Sequence, residues 1–504
     1  MSAVLQAVPE TDGQRSGARA VVALARFESR RLLRNVLVVG AFLAYAGWVV
    51  WRDRGAWDGY PALQDADRAT QAGPMLVALA VLLAANHAAL RPRRHGTEAQ
   101  LSVLVLPAAS RTAAHVLSVV PVALLTAVCV TGQFAWAALR PGAVGHGSPA
   151  ELAVGPLTVL LLGAVGVLLA RVVPAPLAAP LLAVGLLFVF GSGVLSIGGA
   201  RTEWLAPVVS EWGVQPLPSE LLGRPAGWHA LYLAGVALCA GFLAVLAAGG
   251  RGPAVRAGVA VTLVMGLVGA VAQTVAVPSG LAAARERASA APEEVQECVE
   301  RGRHTYCAFP EWVPRAGAWA EVADRVQSLA GGSAHERPLL VRQRIEARYG
   351  LETDSAIAPA ARPGEVSVGT AWGGNRVPEF STAVAATLVA GSEEAGGELC
   401  DGRMVTVMWL SLSWQDDPLD VLRRVRLDDS VTGSAIVLSH TEPLRMTEGQ
   451  TDVVRRLLER PDGGQVAAQV RRHWGELTSP TVTTARAAEL LGVPGPGSAD
   501  SCEE

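Results

Sequence analysis

The chain has 504 residues, too many for one ordinary domain, and a formal net charge of −3. That near-neutral balance argues against a nucleic-acid partner, because phosphate binding needs a concentrated basic surface. Lysine is absent, so every basic side chain is arginine. This excludes a P-loop lysine, a Schiff-base lysine and a Ser–Lys dyad; the composition otherwise reads as codon bias towards Ala, Arg, Gly, Pro and Val.

The chain opens with a polar, arginine-bearing segment. Residues 18–34 read A-R-A-V-V-A-L-A-R-F-E-S-R-R-L-L-R, with Ala20, Leu24 and Phe27 on one helical face. This pattern predicts an amphipathic helix in the headgroup region, or simply the positive flank of a signal anchor. No small-residue cleavage site follows the next apolar run, so 36–51 is expected to be a retained anchor.

Apolar runs long enough to cross a bilayer, which takes about 20 residues per helix, follow at 36–51, 74–90, 114–138, 152–172, 175–199, 229–249 and 256–277. Helix is the expected form, because backbone in lipid must satisfy its own hydrogen bonds. Pro174, Pro176 and Pro180 mark a tight hairpin between the fourth and fifth runs, with a re-entrant pair as the alternative. Arginines are denser on the segments that lie inside if the N-terminus is cytoplasmic, among them Arg26, Arg30, Arg31, Arg91, Arg93 and Arg94. The positive-inside rule then places the N-terminus in the cytoplasm, and seven spans place the C-terminal half outside. Trp48, Trp51, Trp57, Trp204, Trp212 and Trp228 fall near the predicted outer boundary, where indole rings favour the interface. The polar residues inside the runs are Asn86, His87, His115, Gln133 and Gln273; His87 and His115 sit near the cytoplasmic ends and are expected to face water, and Gln133 and Gln273 to hydrogen-bond between helices rather than to line a path. A lack of carboxylates in the runs argues against proton-coupled transport.

Loop 91–113 is the longest predicted on the cytoplasmic side. Thr97 is placed to cap a short helix over 98–106 that Pro107 ends. Leu101, Leu104 and Val105 form an apolar stripe, and Glu98 stands exposed one turn earlier. Such a rod suits force transmission to a soluble partner; a helix resting on lipid is the plain alternative.

After a connector over 278–297 the sequence turns polar. Cys129 and Cys239 lie in apolar runs and read as small hydrophobes. Cys298, Cys307, Cys400 and Cys502 all fall in the C-terminal part, which suits disulfides in an oxidising compartment. The short loop favours Cys298–Cys307, leaving Cys400–Cys502; four free thiols are the alternative. A zinc site is not expected, since no C-x-x-C occurs and His304 is the only histidine near the first pair. Helices are predicted at 314–330, 379–391, 451–474 and 483–491, strands at 366–372 and 435–440, and either a strand or a buried helix at 404–414. His335-Glu336 lacks the second histidine of H-E-x-x-H, and no G-x-S-x-G elbow occurs. Asp416-Asp417 and Asp428-Asp429 read as solvated turns, and His440 and His473 are isolated. V-G-T-A-W-G-G-N (368–375) lacks a helix-opening phosphate fingerprint. No enzymatic activity and no cofactor are expected.

Three stretches carry a family resemblance: A-L-A-R-F-E-S-R-R-L-L-R-N at 23–35, A-A-N-H-A-A-L-R-P-R-R-H-G-T-E at 84–98, and the continuation from Arg93 to Thr112. Residues 20–277 resemble permease subunits of the type-2 ABC exporter family, its actinobacterial members in particular. The resemblance implies a separately encoded ATPase that docks on cytoplasmic helices, here at Thr97, Glu98, Leu101, Leu104 and Val105, and a homo- or heterodimer of permease subunits. Family members commonly have six spans with both ends inside, so a seventh span and an outer domain depart from the pattern. C-V-E-R-G-R-H-T-Y-C-A-F-P-E-W (298–312) resembles a segment found behind the membrane part of some actinobacterial ABC permeases, with no activity attached to it.

The expected protein is thus a polytopic α-helical membrane protein of about seven spans, in contact with membrane lipid. Residues 1–35 form a cytoplasmic segment, 36–277 the permease-like part, and 298–504 a mixed, mainly helical extracytoplasmic domain. It is expected to reside in the cell membrane as a permease subunit of an ATP-driven exporter. The alternatives are a membrane-anchored extracytoplasmic binding or sensing protein and, third, a membrane-bound hydrolase.

Overall fold

In the computed structural model the described residues are all but 1–9, 57–59, 98–99, 101–105, 192–201, 210–215, 276–278, 349–356, 426–433, 438–440, 442–443 and 497–504. The first helix, α1 (Glu10–Leu33), ends at Arg34, and Asn35 starts the next, α2 (Val36–Ala56), by accepting the Leu37 amide at 2.9 Å. The two axes bend by 56° at this break. The stripe predicted on α1 stays outward, with Phe27 54% exposed, and the inward face is instead Ala25, Glu28, Ser29 and Leu32.

The apolar part continues through α3 (Leu63–Ala69), α4 (Ala72–Arg94), α5 (Ala108–Leu117), α6 (Val120–Ala138), α7 (Pro149–Val172) and α8 (Ala178–Gly191). A short α9 (Ser219–Leu222) precedes the hairpin of α10 (Ala226–Ala247) and α11 (Pro253–Val275). Among the described residues five stretches are long and apolar enough to cross a membrane: Leu63–Arg94, Ala108–Ala138, Pro149–Val172, Ala226–Ala247 and Pro253–Val275. The bent pair Gly17–Leu33 and Val36–Arg52 makes a sixth if taken as one span. Of the predicted run 175–199, an apolar helix of less than span length is described, and 192–199 lie outside the described residues.

Without a hydrophobic drive between helices in lipid, close backbone approach at small residues supplies the packing. Gly166 of α7 faces the Leu82 carbonyl of α4, where a Cβ would overlap it, and one turn on Asn86 donates to the Gly166 carbonyl at 3.0 Å. Gly235 of α10 meets the backbone of Gly266 on α11 in the same way, and Gly269 meets Tyr232. The predicted polar residues pin helices together: the Tyr45 hydroxyl donates to Gln133 at 2.7 Å, and His229 and Gln273 are 3.0 Å apart.

The C-terminal part begins with α12 (Leu281–Ala290) and a four-stranded sheet of order β1-β2-β3-β4. The strands are β1 (Glu297–Arg301), β2 (His304–Ala308), β3 (Leu340–Gln343) and β4 (Glu365–Val368). The hairpin β1–β2 is antiparallel, with Cys298 opposite Cys307 and the two joined in a disulfide. Strands β2, β3 and β4 run parallel, and α13 (Ala316–Leu329) makes the β2–β3 crossover. Cys400 is disulfide-bonded too; its expected partner, Cys502, lies outside the described residues.

Helices α14 (Arg376–Ala390), α15 (Glu393–Gly397), α16 (Arg403–Leu412) and α17 (Pro418–Val425) follow. A second antiparallel pair, β5 (Ser434–Val437) and β6 (Leu444–Thr447), leads into α18 (Glu448–Leu458), α19 (Gly463–Arg472), α20 (Trp474–Leu477) and α21 (Thr484–Leu490). The segment that read as strand or buried helix is α16, with Met404, Met408 and Leu410 fully buried. The single helix predicted over 451–474 is divided at Pro461, which cannot donate to a continuing ladder. The strand predicted at 366–372 ends at Val368, and Gly369 to Asn375 form a loop.

The Gly166 contact yields a direct test. Gly166→Val should lower the thermal midpoint of the detergent-solubilised protein, at a cost of at least about 1–3 kcal/mol. Gly185→Val on α8, where a Cβ meets nothing, should leave the midpoint unchanged. Equal midpoints for parent and Gly166→Val would show that α4 and α7 do not approach this closely.

Candidate functional site

Polar side chains gather at the end of the helical bundle remote from loop 91–113. Helix α3 reads L-Q-D-A-D-R-A, and its polar residues turn inward: Gln64, Asp67 and, just beyond, Gln71 are buried. Glu151, in the first turn of α7, is 2% exposed. Arg68 Nη1 lies 3.7 Å from Glu151 Oε1, and the Gln71 amide donates to the other Glu151 oxygen. The Arg68 guanidinium stacks 5.0 Å over Trp204 and donates to the Val209 carbonyl at 3.2 Å. Asp67 accepts the Ser148 amide at 2.7 Å. Trp204 meets His229 edge to face at 5.4 Å, and His229 reaches Gln273. One connected network therefore joins α3, α7, loop 202–209, α10 and α11.

Burying ions is costly unless they are paired and hydrogen-bonded, and here arginine, carboxylate, amide and indole share one site. The predicted runs hold no carboxylate, as expected, but the helix begins earlier than the run 152–172, and Glu151, one residue before that run, lies inside it. A charge at the edge of an apolar run reads as loop, which hid it. Trp204, predicted at the interface, is buried because it covers Arg68; Trp51 and Trp228 are exposed.

Directly above this network the C-terminal domain is seated. Glu311, after β2, accepts the Ser219 amide at 3.2 Å and the Gln64 amide at 3.4 Å, and pairs with His146 at 3.2 Å. Gln64 also donates to the Leu217 carbonyl at 2.8 Å. Arg315, 3% exposed, donates to the carbonyls of Tyr60 and Thr370. Burial pushes its pKa down to about 10, so it remains a cation at neutral pH. Arg285 of α12 donates to the carbonyls of Leu221 and Leu222 at 2.8 and 3.2 Å. A cavity of about 400 Å³ lies in this joint, lined by Tyr60, Pro141, Val144, Pro314, Arg315 and Ala318.

The carboxyl ends of β2 and β4 face the same joint, through Arg315 and its bond to Thr370. In open α/β sheets that edge is where ligands bind. Here it is filled from within. Gln343 accepts the Phe309 amide at 3.0 Å and donates to Gly369 at 3.3 Å, and Trp312 Nε1 donates to the Thr370 carbonyl at 2.9 Å. The glycine-rich loop uses Gly373 and Gly374, at φ 97° and 50°, to turn Trp372 inward onto Phe380 and Trp319. It holds an aromatic plug where a phosphate cradle would need open backbone amides.

At the opposite end α1 is clamped to the helices that flank loop 91–113. Glu28, buried, pairs with Arg91 of α4 at 3.1 Å, and the Ser29 hydroxyl shares its proton between the Ala25 carbonyl at 2.8 Å and the Ser118 carbonyl, after α5, at 3.1 Å. Of the predicted contact residues, Thr97 closes the end of α4 by donating from its amide to Pro92 at 2.9 Å. Glu98, Leu101, Leu104 and Val105 lie outside the described residues, as do Trp57, Trp212, Asp428-Asp429 and His440. His87 lies 2.8 Å from Arg94, and His115 is buried. No group of three metal-ligating side chains occurs among the described residues. His304 is engaged as an acceptor for the Leu339 amide at 3.0 Å, and burial holds its pKa below the usual imidazole range.

Compared with models of protein families, with curated proteins and with solved structures, the chain matches none.

The buried pair makes a prediction with a built-in control. Glu151→Ala leaves Arg68 without its carboxylate and should destabilise the protein by about 3–5 kcal/mol. The double substitution Arg68→Met with Glu151→Leu should recover most of that loss, because both charges leave together. Thermal unfolding followed by tryptophan fluorescence decides it; additive losses in the double variant would mean that the two groups do not act as a pair.

Proposed function

We propose that the chain is the membrane-spanning permease subunit of an ATP-driven ABC exporter, working in a homo- or heterodimer with a separately encoded ATPase. In this account α2, the α3–α4 run, the α5–α6 run, α7, α8, α10 and α11 make seven crossings, the N-terminus is cytoplasmic, and the C-terminal domain is extracytoplasmic. The observation that carries the proposal is the clamp of α1. An amphipathic helix, sharply bent from the first span, is held by Glu28–Arg91 and Ser29–Ser118 against both flanks of loop 91–113. A partner pressing on this loop would move α1, α4 and α5 as one body. The resemblance of 20–277 to type-2 exporter permeases supports the same assignment, and the absence of lysine means that this sequence supplies no P-loop of the usual kind, in keeping with energy that comes from elsewhere.

A second reading, a membrane-anchored extracytoplasmic binding or sensing protein, is favoured by one observation. The cavity in the joint opens between the domain and the bundle, where an occupant would touch both.

The test is recruitment of a separately encoded ABC ATPase. The parent should pull it down and stimulate ATP hydrolysis. Glu98→Arg should weaken the interaction by reversing a contact charge, and Leu101→Asp by burying an unpaired carboxylate. Both variants should still insert in the membrane, since the loop lies beyond the apolar helices. Parent-like binding and stimulation by both variants would remove the loop as the coupling element. A parent that recruits no ATPase would favour the binding or sensing reading.

A further inference from the structure

At the same end of the bundle as α1, the turn between α10 and α11 reads G-G-R-G-P, with Gly249 at φ 91°. It projects Arg251 just before α11, and Arg256 follows in the first turns of that helix. Both arginines are exposed, and neither has an ion-pair partner among the described residues. Helices α10 and α11 carry no acidic residue, and the only one on α7, Glu151, lies at its far end. Among the described residues, the two guanidinium groups therefore face no counter-charge from α7, α10 and α11.

They stand at the mouth of a groove of about 580 Å³ whose walls are Leu168 and Val172 of α7 and Leu243 and Leu246 of α10. The groove is apolar below and cationic at its rim. From Arg256 an exposed apolar stripe continues along α11 through Val264, Leu267, Val268 and Val271. Depth agrees with this polarity. Helix α11 has 23 residues, so it is about 34 Å long, against a hydrocarbon core of about 30 Å. Its first turns thus lie at headgroup level. The stripe from Arg256 to Leu267 runs about 16 Å, close to the depth of one leaflet.

We propose that this groove binds one anionic phospholipid of the leaflet on the α1 side, with its phosphate between Arg251 and Arg256, one acyl chain against Leu168 and Leu243 in the groove, and the other along the adjoining stripe at Val264 and Leu267. The chemistry is specific in both halves. A phosphodiester accepts charge-assisted hydrogen bonds from two guanidinium groups, and basic pockets between helices on the cytoplasmic side hold anionic headgroups. A zwitterionic lipid would bring its own cation to the same rim and lose that gain. The site is independent of the ATPase: it needs only that the bundle lies in a bilayer.

The experiment uses the full chain in neutral detergent, stripped of lipid and titrated under native mass spectrometry. Phosphatidylglycerol should occupy one site about thirtyfold more tightly than phosphatidylcholine. Arg251→Gln with Arg256→Gln should abolish that preference, while Arg34→Gln, an exposed arginine at the same end, should keep it. A phosphatidylglycerol with a photoreactive tail should label the parent on α11 near Val264 and Leu267 or on the groove walls of α7 and α10, which tests the site without any substitution that might disturb folding. Glycerol phosphate at equal concentration should not displace the lipid. The proposal falls if the double variant keeps the preference, if the parent shows none, if the label lands on helices other than α7, α10 and α11, or if glycerol phosphate competes and so marks a site for free phosphate.

Discussion

A charge drawn out of water must find its partner inside the protein, and at the far end of this bundle Arg68 and Glu151 meet that demand together. Much else is set by it. Helix α3 turns its polar residues inward because Arg68 and Gln71 must reach Glu151. Loop 202–209 folds over the pair because Trp204 covers the guanidinium and Val209 accepts from it. Through Trp204 and His229 the network reaches Gln273 on α11. One turn before Arg68, Gln64 leaves this network for Leu217 and Glu311, and so the seat of the C-terminal domain is built on the same short helix.

Helix α4 links the two ends. It starts beside Gln71, packs at Leu82 on Gly166, donates from Asn86 to the same glycine, and ends at Arg91 with Glu28. Polar contacts at both ends and close backbone packing between them make α4 and α7 a stiff pair. In the exporter account, a push on α1 and loop 91–113 travels along this pair to the joint beneath the domain. The domain itself closes its own ligand edge with Gln343, Trp312 and Trp372, so the space between it and the bundle, rather than the sheet edge, is the part open to an occupant.

The bundle was legible because apolar length and helical satisfaction of the backbone leave few alternatives. The roles of Gln133 and Gln273 as pins between helices followed from the same reasoning; that of Asn86 did not, and only its bond to Gly166 shows it. The central pair did not. Asp67, Arg68 and Glu151 flank apolar runs, where charge reads as solvated loop, and only the fold shows that α3 and the first turn of α7 lie inside. On α1, the visible stripe of Ala20, Leu24 and Phe27 faces outward, because the pairing of Glu28 with Arg91 outweighs the apolar pattern. In the C-terminal domain β1, β2 and β3 are too short to show an alternation. β2, H-T-Y-C-A, is buried at four of its five positions and reads as neither a half-buried strand nor a helix. The Cys298–Cys307 bond was legible because nine residues apart is a hairpin distance.

Loop 91–113 and the C-terminal domain occupy opposite ends of α4, so they lie on opposite sides of any membrane the bundle crosses. The account therefore rests on which side each faces, and one measurement decides it: the activity of two reporters fused after Glu504. The account predicts that alkaline phosphatase, which works only outside the cytoplasm, is active there, and that a fluorescent protein confined to the cytoplasm stays dark. A fluorescent fusion with inactive phosphatase would contradict it, placing the disulfide-bonded domain in the cytoplasm and loop 91–113 beyond the reach of any ATPase.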